Sequence, residues 1–140
     1  MFLGCRQLIE ERVWCDPCSR GARALWVDDN PSNNIYERLV LASFGISVDL
    51  AISTEEALLF ADRLQYDVIL SDMRRGSNPT AGMELLENLK LRQNASPVVF
   101  YVGRVNQHLR PVGAFSITDR PDELLHYVFD VLERRKHRVQ

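Results

Sequence analysis

Tyr66-Asp67-Val68-Ile69-Leu70-Ser71-Asp72-Met73 is the stretch on which the fold turns. Val68, Ile69 and Leu70 form an apolar run, and Asp72 follows one residue later. A short apolar run between polar residues reads as a strand buried on both faces, the central strand of a parallel sheet. Asp72 then stands at the carboxyl edge of that sheet, where open α/β sheets place their chemistry. Ala24-Leu25-Trp26-Val27-Asp28-Asp29-Asn30 repeats the pattern, strand and then acid. Two such strands side by side bring Asp28, Asp29 and Asp72 into one crevice.

Outward from these two strands the chain alternates. Asn30-Pro31 marks a helix start, Asn as the cap and Pro at the first helical position. Ile35, Leu39 and Ala42 recur at helical spacing, with Val40 and Phe44 alongside, and Gly45 ends the helix. Val48 to Ile52 reads as a second strand. Ser53-Thr54-Glu55-Glu56 is a capping box, opening a helix through Ala57, Leu58, Ala61 and Leu64. Beyond the Tyr66 to Asp72 strand, Met73 to Ala81 is a polar loop. Gly82 to Leu91 is a third helix, with Met83, Leu86 and Leu89 on one side. Pro97 to Val102 is a fourth strand, and Gly113 to Ile117 a fifth. Between them, Gly103 to Val112 leaves room for about one helical turn. Pro121 to Arg135 is the last helix, with Leu124, Leu125, Val128 and Leu132 inward. The alternation predicts a parallel sheet covered on both faces, with right-handed crossovers.

Composition sets the outer bounds. The 140 residues, 46% of them hydrophobic, support one domain with a proper core. That domain is expected over residues 23–140, with residues 1–22 as an N-terminal extension. The extension carries Cys5, Cys15 and Cys18. Cys15-Asp16-Pro17-Cys18 has the gap of a zinc knuckle or redox pair, but the nearest His is His108, and no strand leads into it. It reads as a leader that carries thiols. A formal charge of −2 gives no reason to expect nucleic acid or an acidic membrane as partner. Arg6, Glu10, Glu11 and Arg12 interrupt any secretory signal, and no run approaches the roughly 20 apolar residues of a membrane span. A cytoplasmic location is expected.

Three carboxylates at one edge repel one another, by about 4 kcal/mol per pair at 4 Å and an effective dielectric near 20. Such a cluster takes up protons or holds a cation. Hard oxygen ligands at an open edge suit Mg²⁺. A carboxylate beside Mg²⁺ can attack a phosphoryl group and carry it as an acyl phosphate. Arg120, just before Pro121, is placed to supply a cation opposite the nucleophile.

With these residues the chain from about Arg23 to Leu132 resembles the receiver domain of two-component response regulators. Trp26-Val27-Asp28-Asp29 is similar to the family's acidic pair after strand one. Ser71-Asp72-Met73 is similar to its phosphoacceptor motif. Gly113-Ala114 and Arg120-Pro121 are similar to its Gly-Ala and Lys-Pro marks around strand five. The resemblance implies an α/β, flavodoxin-like, doubly wound five-stranded parallel sheet in order 2-1-3-4-5, here with a shortened helix 4. It implies Mg²⁺-dependent phosphorylation of Asp72, with metal ligands Asp28, Asp29, Asp72 and the main-chain carbonyl of Arg74. It implies Arg120 as the phosphoryl partner, and a histidine kinase or phosphotransfer protein as donor. A downstream protein partner is implied but unspecified, and a homodimer is left open.

The sequence also departs from the family. Val102 stands where receivers place Ser or Thr, and Val cannot hydrogen-bond a phosphoryl oxygen. Ile117 replaces the aromatic residue of strand five, and Arg120 replaces Lys. The loop after Asp72 is long and carries Arg74 and Arg75. Two functions follow. One is a stand-alone, atypical receiver that accepts phosphate on Asp72, without enzymatic turnover of its own. The other is a phosphorylation-independent protein-protein interaction module on the same fold. A haloacid-dehalogenase-like phosphohydrolase needs a second acid where Arg74 stands. The plainer readings are Asp72 as a capping acid, Arg120 in an ion pair with Asp28 or Asp72, and Arg74 and Arg75 as solvated charges or a gate.

Overall fold

The computed structural model describes residues 20–105 and 110–139. Its strands are β1 (Arg23–Val27), β2 (Ser47–Ala51), β3 (Val68–Ser71), β4 (Val98–Tyr101) and β5 (Ser116–Thr118). All neighbouring pairs are parallel, in the order β2-β1-β3-β4-β5. The helices are α1 (Ile35–Ser43), α2 (Thr54–Arg63), α3 (Ala81–Leu91) and α4 (Pro121–Val139). This is the flavodoxin-like, doubly wound sheet that the resemblance implies. The shortened helix before β5 falls partly on residues 106–109, outside the described residues, as do Cys5, Cys15, Cys18 and His108.

Strand alternation divides the core into two halves. Val68 and Leu70 face one side with Trp26, Leu41, Phe44, Leu125 and Phe129, under α1 and α4. Ile69 faces the other with Leu25, Val27, Leu85, Leu89 and Phe100, under α2 and α3. Each such side chain contributes about 1.5–3 kcal/mol on burial. Phe44 and Phe129 meet edge to face at 4.7 Å.

Local signals decide the ends of the elements. Ser53 caps α2 by accepting from the Glu56 N–H at 3.1 Å, and Glu56 reaches back to the Ile52 N–H. Asn30 makes no side-chain cap. A 3-10 turn over Pro31–Asn34 comes first, and α1 starts only at Ile35. That delay rotates the helix, so Glu37, Val40 and Leu41 face inward while Ile35 and Leu39 lie exposed. On α3 the buried face likewise centres on Leu85, and Met83 points to solvent. Strand β5 begins at Ser116, after a turn in which Gly113 adopts φ +93°.

Candidate acid pocket

The register of β1 against β3 sets the pocket. Val27 pairs with Ser71, so the residues that follow each strand emerge together at the carboxyl edge. The Asp72 N–H donates to the Val27 carbonyl at 3.0 Å and locks that register. Asp28, Asp29 and Asp72 each offer an oxygen within 4.8 Å of the others. They open into a cleft of about 910 Å³ that Glu37, Arg74, Tyr101, Val102 and Asp119 also line. Glu37 is buried on α1, and nothing in the helical period of the sequence marked it as part of this wall.

Each acid has local partners. Asp28 accepts from the Asn30 N–H at 2.8 Å and from Asn34 Nδ2 at 3.2 Å. Asp29 Oδ2 accepts from the Gly76 N–H at 2.9 Å, tying the loop after β3 to the loop after β1. Asp72 is divided. Its Oδ1 accepts from Arg75 Nη1 at 2.6 Å, whereas Oδ2 is buried and has no hydrogen-bond partner. Burial pushes the Asp72 carboxyl up to about 6, against the pull of Arg75, and the charge of Asp28 adds to the rise. Burial also raises Asp28, and the charge of Asp29 adds there, while hydrogen bonds from Asn30 and Asn34 oppose it.

Arg75 is buried, and so does not belong among the solvated loop charges. A turn closed by paired backbone hydrogen bonds between Arg75 and Asn78 folds its side chain back under the sheet edge. Nη1 donates to Ser71 Oγ at 3.3 Å as well as to Asp72. Nη2 donates to Thr54 Oγ1 at 2.5 Å and to the Ala81 carbonyl at 3.0 Å. An Arg three residues past an acid was the only trace of this in the sequence. Arg74, next to it, remains exposed at the rim of the cleft.

Arg120 does not join the acids. Its guanidinium is largely exposed and pairs with Asp122 at 2.9 Å, because Pro121 starts α4 and turns the side chain along the first helical turn. Val102 lines the cleft, as expected, and presents no donor. Thr118, on β5, is fully buried, and its hydroxyl donates to Glu123 Oε1 at 2.6 Å. Ile117 lines the cleft beside it.

The pocket suits a divalent cation. It offers three carboxylates in reach of one another, and the Asp72 Oδ2 atom lacks a partner that a buried oxygen normally finds. Asp72, Asp29 and Asp28 would hold such an ion directly or through water, in the cleft that Arg74 also lines.

The comparisons agree with this geometry. The model of the response regulator receiver domain matches residues 24–114. A sequence search of curated proteins returned no match. Among solved structures, the chain is similar to the chemotaxis response regulator CheY4 of Vibrio cholerae, with 25% identity and a TM-score of 0.66 over 79% of this chain and 98% of that one. It is similar to a Francisella response regulator receiver domain, with 22% identity and a TM-score of 0.72 over 82% and 99%. It is also similar to the response regulator TrrA of Thermotoga maritima, solved with Mg²⁺ and BeF, with 22% identity and a TM-score of 0.68 over 79% and 98%. The chain belongs to the response regulator receiver family.

Proposed function

We propose that this receiver domain accepts a phosphoryl group on Asp72 with the help of Mg²⁺, and so takes part in two-component signalling in the cytoplasm. The observation that carries the reading is the trio of Asp28, Asp29 and Asp72 within 4.8 Å, with one Asp72 oxygen left without a partner. The donor is a phosphohistidine on a kinase or phosphotransfer protein. The lone pair on an Asp72 oxygen forms the new O–P bond. The P–N bond of the donor breaks, and the leaving imidazole nitrogen keeps the electron pair. Asp29 holds Gly76 and thereby fixes the wall past which the donor approaches. A divalent cation supplies neutralisation of the charge that builds on the phosphoryl oxygens.

The experiment is incubation with Mg²⁺ and a small phosphoramidate or acetyl phosphate, followed by intact mass. The expected result is the gain of one phosphoryl group, lost in Asp72→Asn. An unchanged mass for the wild type contradicts the reading. It would leave the second reading, a module that binds proteins whatever the state of Asp72. Three observations favour that alternative: Val102 at the cleft, Arg120 engaged with Asp122, and the Thr118 hydroxyl engaged with Glu123.

A further inference from the structure

The cation that touches the central carboxylate comes from the wrong side for a receiver that reads its phosphate through β4 and β5. Arg75 approaches Asp72 from beneath, on the face of α2 and α3. Its two terminal nitrogens bind four acceptors: Asp72 Oδ1, Ser71 Oγ, Thr54 Oγ1 and the Ala81 carbonyl. Thr54 is the first residue of α2, and Ala81 the first of α3. One guanidinium therefore joins the acid at residue 72 to the starts of two helices. Of the two oxygens of Asp72, Oδ1 is tied to Arg75, and only Oδ2, buried and without a partner, is left to face an ion.

We infer that Arg75 is a latch on Asp72: it stands in for the divalent cation in the resting protein, opposes the loading of that cation, and reports the state of Asp72 to α2 and α3. The inference rests on the reading of the acids as a metal and phosphoryl site. Two cations on one carboxylate repel in a site shielded from water. The incoming ion therefore loosens the hold of Arg75, and with it the contacts to Thr54 and Ala81. A state change at Asp72 is thus passed to the α2–α3 face, by a route that needs neither a hydroxyl at position 102 nor an aromatic ring at position 117.

The test is a Mg²⁺ titration of the whole chain by calorimetry, with hydrogen exchange as a second readout. Arg75→Met, which removes a like charge from beside the ion, is expected to bind Mg²⁺ about tenfold more tightly than the wild type. Arg75→Lys, which keeps the charge, is expected to stay near the wild type. Thr54→Val removes one anchor, leaves Asp72 and Arg75 in place, and is expected to tighten binding by a smaller factor; it carries the test should Arg75→Met fail to fold. Mg²⁺ is expected to speed exchange of the amides that open α2 and α3 in the wild type and to leave those of Arg75→Met unchanged. Equal or weaker Mg²⁺ binding by folded Arg75→Met, or by Thr54→Val where that variant carries the test, overturns the latch and leaves the phosphoacceptor reading standing. No Mg²⁺ binding by the wild type or any variant overturns both. Binding by Arg75→Met but not by the wild type supports the latch in its strongest form.

Discussion

A carboxyl that titrates near 6 in the folded chain is a stability term as well as a chemical one. An unfolded Asp titrates at 3.8, so between these values the folded protein binds more protons than the unfolded one. The contribution of Asp72 to stability is therefore neutral below pH 4, falls as pH rises toward 6, and stays unfavourable above it. Replacing Asp72 by Asn removes this dependence, whatever fixed loss comes from the contact with Arg75. In metal-free buffer, the stability of Asp72→Asn relative to the wild type is expected to improve by up to about 3 kcal/mol between pH 4 and pH 7. Urea unfolding at both pH values checks it, and a gap that does not move contradicts the burial of the charge. Residue by residue, the acids were legible because each follows an apolar strand. Arg75 was not, because a buried loop side chain leaves no period in the sequence, and its place depends on the turn to Asn78. Arg120 was misplaced for the opposite reason: its position in a motif said nothing of the competing acid two residues on.

At the scale of elements, α3 owes its place to a missing side chain. A Cβ at Gly82 would press into the Asp72 carbonyl oxygen and come within 2.6 Å of Phe100 Cε1. The helix start can approach the acid loop only because nothing projects there, and the Gly82 N–H donates to the Met73 carbonyl at 2.8 Å. Gly82→Ala is expected to destabilise the fold by about 1–3 kcal/mol, since the backbone on one side and the packed ring on the other have little room to yield. Chemical denaturation measures this, and a variant as stable as the wild type would show that the loop gives way easily. The helices were readable as helices, but the inward face of α1 was not. Four residues of 3-10 turn precede it, and the phase of an apolar pattern depends on where regular helix begins. The capping box of α2, by contrast, has its chemistry written in adjacent residues, and it formed at the position read.

Across the whole molecule, the parallel sheet was legible in the alternation of strands and helices, since parallel strands need crossovers. Its order β2-β1-β3-β4-β5 was legible only through the resemblance to receivers, because right-handed crossovers leave more than one arrangement. Among the described residues no helix is long and apolar enough to cross a membrane. If the acid pocket holds Mg²⁺ only in the folded state, the ion stabilises the entire chain. At one hundred times its Kd, unfolding should become harder by about 2.7 kcal/mol. Thermal melts with Mg²⁺ and with chelator test this, with Asp29→Asn as the variant expected to lose the effect; identical wild-type melts would contradict it. The placement of β1 between β2 and β3 has a consequence for synthesis. As the nascent chain leaves the ribosome, Asp28 and Asp29 appear a full helix-strand-helix ahead of the segment that pairs with β1 on its other edge. A nascent chain that ends before Asp72 lacks one of the three acids, so an ion held by the trio would mark a polypeptide that already contains both central strands.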